Sequence, residues 1–197
     1  PMTHWLVQVP FLLLLFILPF PGTVALRLLC LSIAFVIAAV FWRRMNPPPF
    51  PGKAVFAFWI AIALLSLVYA VDTAYSLGEI KNELGYTMMA LFAFYVFSGS
   101  EHTVRRGAWA VVLALAVISI WSLWLRWGTG YWHEDAGHGG SGTFAGLVLM
   151  AAPALFLIWI WQPRARWLVT LVALTAVLAG AYSRQRVLWP VLGVELG

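Results

Sequence analysis

Residues 108–125 read AWAVVLALAVISIWSLWL, with Arg105 and Arg106 just ahead of the run and Arg126 just behind it. A membrane-crossing helix needs roughly 20 mostly apolar residues, and this uncharged run predicts one. Comparable runs lie at 5–20, 23–42, 54–70, 144–161 and 167–182, with a shorter one at 86–98. The whole chain is 63% hydrophobic and 10% charged, with a mean hydropathy of +0.91. A soluble domain sits nearer half apolar and a quarter charged. The chain therefore reads as an all-α, polytopic, helical integral membrane protein, one transmembrane domain over residues 1–197.

The punctuation between the runs supports that reading. Pro19-Phe20-Pro21-Gly22 ends the first run, because proline and glycine break a helix. Arg43 and Arg44 followed by Pro47, Pro48 and Pro49 close the second. The run 86–98 is too short alone, so its helix is expected to start near Thr73–Ser76, with Asp72 as its cap and a polar first half shielded by protein or lying at the interface. Residues 99–107 read as a polar loop, 126–143 as a long glycine-rich connection, and 162–166 as a tight basic turn. Pro153 predicts a bend in the sixth span. An eighth apolar segment opens at Val187 and is still running at Gly197, which gives seven spans and the start of an eighth. The chain thus reads as the N-terminal part of a longer protein. Cys30 is the only cysteine, so no disulfide forms within these residues. The first apolar run is followed at once by another and shows no signal-peptide cleavage site.

Charge sets the orientation. One set of connections holds Arg43, Arg44, Lys53, Arg105, Arg106, Arg164 and Arg166, with Glu101 as its sole acid. The alternate set holds Lys81, Arg126, Arg184 and Arg186 beside Asp72, Glu79, Glu83, Glu134 and Asp135. Basic loops stay in the cytoplasm, so the N-terminus is expected inside and the second set outside. The net charge of +5 is then a matter of orientation and not of nucleic-acid binding. Arg27, near the start of the second span, reads as snorkelling to the interface. The 12 Trp, including Trp121, Trp124 and Trp127, read as anchors in the interfacial belts.

Three polar features fall on the outer side. Arg184 and Arg186 end an apolar run where the orientation bias does not call for them, and charge beside a membrane is costly enough to mark a functional site. A guanidinium fork fits phosphate and pyrophosphate oxygens. The pair therefore reads as a pyrophosphate clamp for a lipid-borne substrate, the alternative being an interfacial anchor or an ion-pair partner for the acids. The second feature is the connection with His133, Glu134, Asp135 and His138. Imidazole and carboxylate serve metal binding or acid–base chemistry, but this spacing matches no metal motif, so no metal is assigned. The glycines favour a mobile hydrophilic loop that touches substrate. The third is Asp72, Glu79, Lys81 and Glu83. Glu79 and Glu83 lie one helical step apart, either as a solvated helix start or as partners of Arg126, Arg184 or Arg186. Arg126, His133, Asp135, His138 and Glu79 are accordingly the candidate substrate contacts beyond the arginine pair.

Three segments together resemble the bacterial O-antigen ligases, within the superfamily that includes the O-antigen polymerases. Residues 65–79, LSLVYAVDTAYSLGE, are similar to the family's Asp-x-x-x-Ser-Leu-x-Glu lead-in to the fourth span. Residues 138–144, HGGSGTF, ahead of an apolar helix with a proline, resemble the opening of the ligase domain. Tyr182-Ser183-Arg184 is similar to the family's Ser-Arg after the next span. Residues 142–150 lack the Asn common in polymerase-like members, which favours ligase over polymerase.

The resemblance implies a GT-C-like helical fold of about a dozen spans in the bacterial inner membrane. It implies transfer of a glycan from undecaprenyl pyrophosphate to lipid A–core on the periplasmic face, in lipopolysaccharide biosynthesis, with no cofactor. It also places the family's catalytic histidine beyond Gly197 and gives the pyrophosphate arginine to Arg184, with Arg186 next in line. A competing class is a transporter or flippase for a lipid-linked substrate. The sequence shows neither the inverted repeat nor the paired broken helices that such carriers carry.

Overall fold

The computed structural model describes residues 3–45, 47, 49–50, 52–129 and 140–183. Among these residues all regular structure is helical, with no strand. The helices are α1 (Thr3–Ile17), α2 (Val24–Met45), α3 (Lys53–Ser66), α4 (Thr73–Ile80), α5 (Tyr86–Phe97), α6 (Glu101–Thr129), α7 (Gly140–Trp161) and α8 (Arg166–Ser183). A 3-10 turn, Leu67–Tyr69, extends α3, and another, Pro163–Ala165, joins α7 to α8. A π-helical turn, Lys81–Gly85, joins α4 to α5.

Among the described residues four segments are long and apolar enough to cross a membrane: Val24–Arg44, Glu101–Gly128, Phe144–Trp161 and Pro163–Tyr182. Leu6–Ile17 and Lys53–Tyr69 are apolar but shorter. The segment beginning at Val187 lies outside the described residues, as do Arg184 and Arg186.

The turns form where the sequence places them. At the end of α1 the chain reverses through Gly22, whose φ of 73° suits a residue without a Cβ. Thr23 Oγ1 donates to the Phe20 carbonyl. Arg27 folds back onto this turn, Nε donating to Thr23 Oγ1 and Nη2 to the Phe20 carbonyl, each at 2.9 Å. Its charge therefore reaches the helix end, as snorkelling requires, and is spent on a backbone acceptor there. Asp72 caps α4, its side chain accepting from the Tyr75 amide at 3.0 Å.

Two expectations need correction. The polar stretch 99–107 is helical from Glu101 onward, because Glu and Arg are good helix formers and Glu101 suits the positive end of the helix. The connection 126–143 is shorter at both ends, since α6 runs to Thr129 and α7 starts at Gly140. Of the two placements for the polar first half of the fourth span, protein does not shield it: α4 is largely exposed and packs mainly on its own continuation.

Close packing rests on small residues. Ala34 and Ala38 of α2 and Ala93 of α5 are fully buried in one cluster with Phe11, Val96 and Phe97. Ala145, Ala151, Ala176 and Ala179 play the same part among α6, α7 and α8. Lipid tails are as apolar as leucine, so helices associate in a bilayer through close backbone approach at such positions. Many large side chains point outward: Val36, Val40, Phe156 and Leu174 are all more than half exposed. In water such a surface would be an aggregation hazard; hydrocarbon solvates it. Helix α3 buries no residue and is tied to the rest through Phe50, whose ring lies 5.2 Å from Phe56 and 5.1 Å from Tyr95.

Candidate functional site

Contacts between helices sort the charged residues to opposite ends of the bundle. At one end Gln8 of α1 donates to Thr103 Oγ1 and accepts from Arg106 Nη1, both at 2.9 Å. Trp109 Nε1 donates to Gln162 Oε1 at 3.2 Å, tying α6 to the α7–α8 turn. At the other end of α6 and α8, the Arg126 guanidinium lies 5.7 Å from the ring centre of Tyr182. Arg105, Arg106, Arg164 and Arg166 thus share one end and Arg126 the other, as the alternation of the spans predicts.

Arg126 is positioned by helix periodicity. Ala108, Val112, Leu115, Ser119 and Ser122 are all buried and recur at steps of four and three, the spacing of one helix face. Arg126 is the next step along that face. The face turns from apolar to polar as it nears this end. Ser119 and Ser122 are 0% and 1% exposed, and neither hydroxyl has a hydrogen-bond partner among the described residues. A buried hydroxyl without a partner is costly. The sequence signal for this notch was two serines three apart inside the run 108–125, easily absorbed into an apolar average.

Helix α8 carries Tyr182 and ends at Ser183. The quadrupole of the Tyr182 ring attracts the Arg126 guanidinium there. Arg184 and Arg186 follow in sequence but lie outside the described residues, as do His133, Glu134, Asp135 and His138. Glu79 and Glu83 are exposed, and among the described residues neither pairs with Arg126. Trp121, Trp124 and Trp127 are 48%, 77% and 86% exposed, as anchors facing lipid should be. Among the described residues no three His, Cys, Asp or Glu side chains come together.

Chemically, the Arg126 end offers one planar cation at the rim of an apolar bundle, above two buried hydroxyls. Such an arrangement suits an anion held level with lipid headgroups. In comparisons with known proteins, no family model, no curated protein and no solved structure matches this chain.

Proposed function

We propose that this chain belongs to a multi-pass membrane glycosyltransferase of the O-antigen ligase kind. It would move a glycan from undecaprenyl pyrophosphate to lipid A–core at the periplasmic face of the inner membrane. The single observation that carries the reading is the meeting of Arg126 with Tyr182 at the end of α8. Tyr182 stands two residues before Arg184, in the Tyr-Ser-Arg segment that resembles the ligases. The apolar outer surface and the separation of charge between the two ends support a membrane setting with Arg43, Arg44, Arg105, Arg106, Arg164 and Arg166 in the cytoplasm.

The chemistry follows from the leaving group. An acceptor hydroxyl attacks the anomeric carbon, and the bond from that carbon to the pyrophosphate oxygen breaks. The electron pair stays on pyrophosphate, and the hydroxyl proton goes to a general base. Charge grows on the departing oxygens, so Arg184 and Arg186, with Arg126 as a further candidate contact, act by stabilising it in a site of low dielectric. Arginine does this without a divalent ion, so the reaction is metal-independent.

Purified full-length protein, incubated with the carrier-linked glycan and lipid A–core in EDTA, should yield glycosylated lipid A–core. Elongation of the carrier-linked glycan instead would identify a polymerase. Movement of the donor across the bilayer without transfer would identify a transporter. Activity that disappears in EDTA and returns with Mg²⁺ or Mn²⁺ would point to His133, Glu134, Asp135 and His138 as ligands.

A further inference from the structure

At the end of the bundle opposite Arg126, an open pocket of about 640 Å³ lies between the first turns of α6 and the α7–α8 turn. Arg105, Arg164, Trp161, Trp167, Gln162 and Leu168 line it. The bond from Trp109 to Gln162 holds the turn against α6 and so fixes the pocket's floor. The neighbouring arginines are already engaged. Arg106 donates to Gln8. Arg166 donates to the Trp159 carbonyl at 3.0 Å and lies 4.5 Å from that residue's ring centre. Arg105 meets only a histidine nitrogen, His102 Nδ1 at 3.3 Å, and no carboxylate pairs with Arg105 or Arg164 among the described residues. Two guanidinium groups therefore line one pocket with no carboxylate in ion-pair contact among the described residues; the nearest acid in sequence, Glu101, lies one turn before Arg105 on α6.

The pocket's depth decides its ligand. Trp161 and Trp167 stand where α7 ends and α8 begins, the level at which indoles mark the lipid headgroups. Within a turn of it, at Trp159 and Val169, starts an apolar groove between α7 and α8 that runs to Val148 and Val177, with a volume of about 480 Å³. A basic pocket at this level and an apolar groove that starts within a turn of it along α7 and α8 match the two halves of a phospholipid. We propose that this pocket binds the headgroup of an anionic phospholipid, its phosphodiester between Arg105 and Arg164 and an acyl chain along the α7–α8 groove. The proposal depends on the helices lying in a bilayer and is independent of glycan transfer.

Native mass spectrometry of the full-length chain in neutral detergent tests it, with phosphatidylglycerol and phosphatidylcholine as probes. Phosphatidylglycerol should bind preferentially. An arginine near an anionic lipid surface is worth roughly fivefold, so Arg105→Gln with Arg164→Gln should weaken that binding about thirtyfold. Arg43→Gln with Arg44→Gln removes equal charge elsewhere and should leave it unchanged. Arg164→Glu, on an exposed turn, should lower binding at wild-type helix content. Unchanged binding in the Arg105/Arg164 pair, or an equal loss in the Arg43/Arg44 pair, would overturn the site. Displacement of the lipid by millimolar inorganic phosphate would overturn the lipid as its ligand in favour of free phosphate.

Discussion

Gly107 is a point of close approach between α6 and α1, and substitutions there give a graded test of the packing. A Cβ at this position would lie 3.1 Å from Leu15 Cδ1 and 3.9 Å from Phe11 Cε1. The nearer atom ends a flexible side chain, so it can retreat by the few tenths of an ångström that alanine needs. Alanine also gains about 1 kcal/mol over glycine within a helix, so Gly107→Ala should be neutral to stabilising by up to that amount. Leucine has no such room. Its added carbons must enter the space of Leu15 and Phe11, and overpacking of that kind costs about 1–3 kcal/mol. Forcing α1 away also strains the Gln8 bonds to Thr103 and Arg106. Reversible unfolding in mixed micelles, followed by circular dichroism, would measure both variants. Adding Leu15→Ala should recover part of the Gly107→Leu loss, with a coupling of about 0.5–3 kcal/mol expected for residues in contact. A Gly107→Leu protein as stable as wild type, or strict additivity with Leu15→Ala, would refute the α1–α6 interface described above.

Other expectations follow from the two ends of the bundle. In a double-mutant cycle with Arg126→Leu and Tyr182→Leu, the pair should couple by about 0.5–1 kcal/mol, the worth of a partly exposed cation–π contact; Tyr182→Phe keeps the ring and should behave as wild type. For topology, Gly137→Cys but not Ser100→Cys, each on a Cys30→Ala background, should react with an impermeant thiol reagent in intact spheroplasts; the opposite pattern would invert the orientation. His133→Ala and His138→Ala should each cost less than the roughly hundredfold that removing a general acid–base group costs. Loss of all transfer in either one, at normal membrane expression, would place that connection in the catalytic site.

Much of the fold could be read from the order of residues because backbone chemistry acts locally. Pro19, Pro21 and Gly22 stop a helix wherever they stand, and Asp72 caps α4 with its own carboxylate. The errors fell where composition and helix propensity diverge. The polarity of residues 101–107 points to a loop, yet Glu101, Arg105 and Arg106 extend α6 by two turns. The π-helical turn at Lys81–Gly85 left no mark in hydropathy at all. For the site, periodicity could have found Ser119, Ser122 and Arg126 as one face of α6, but only the packing of α6 against α7 and α8 shows which face is buried. That Arg126 meets Tyr182 is a contact between residues far apart in the chain, and no local pattern encodes it.

Arg184 is the residue on which the proposed pyrophosphate clamp depends most, and a transfer assay on purified variants tests it directly. Arg184→Ala should insert and express normally. Losing one charge-assisted contact that strengthens in the transition state costs on the order of 3 kcal/mol, about a hundredfold in rate. Arg184→Lys should be nearly as impaired, because an ammonium is a point charge and cannot grip two phosphate oxygens as a fork. Wild-type rates of glycan transfer to lipid A–core in both variants would contradict the pyrophosphate clamp and reduce the segment to an interfacial anchor.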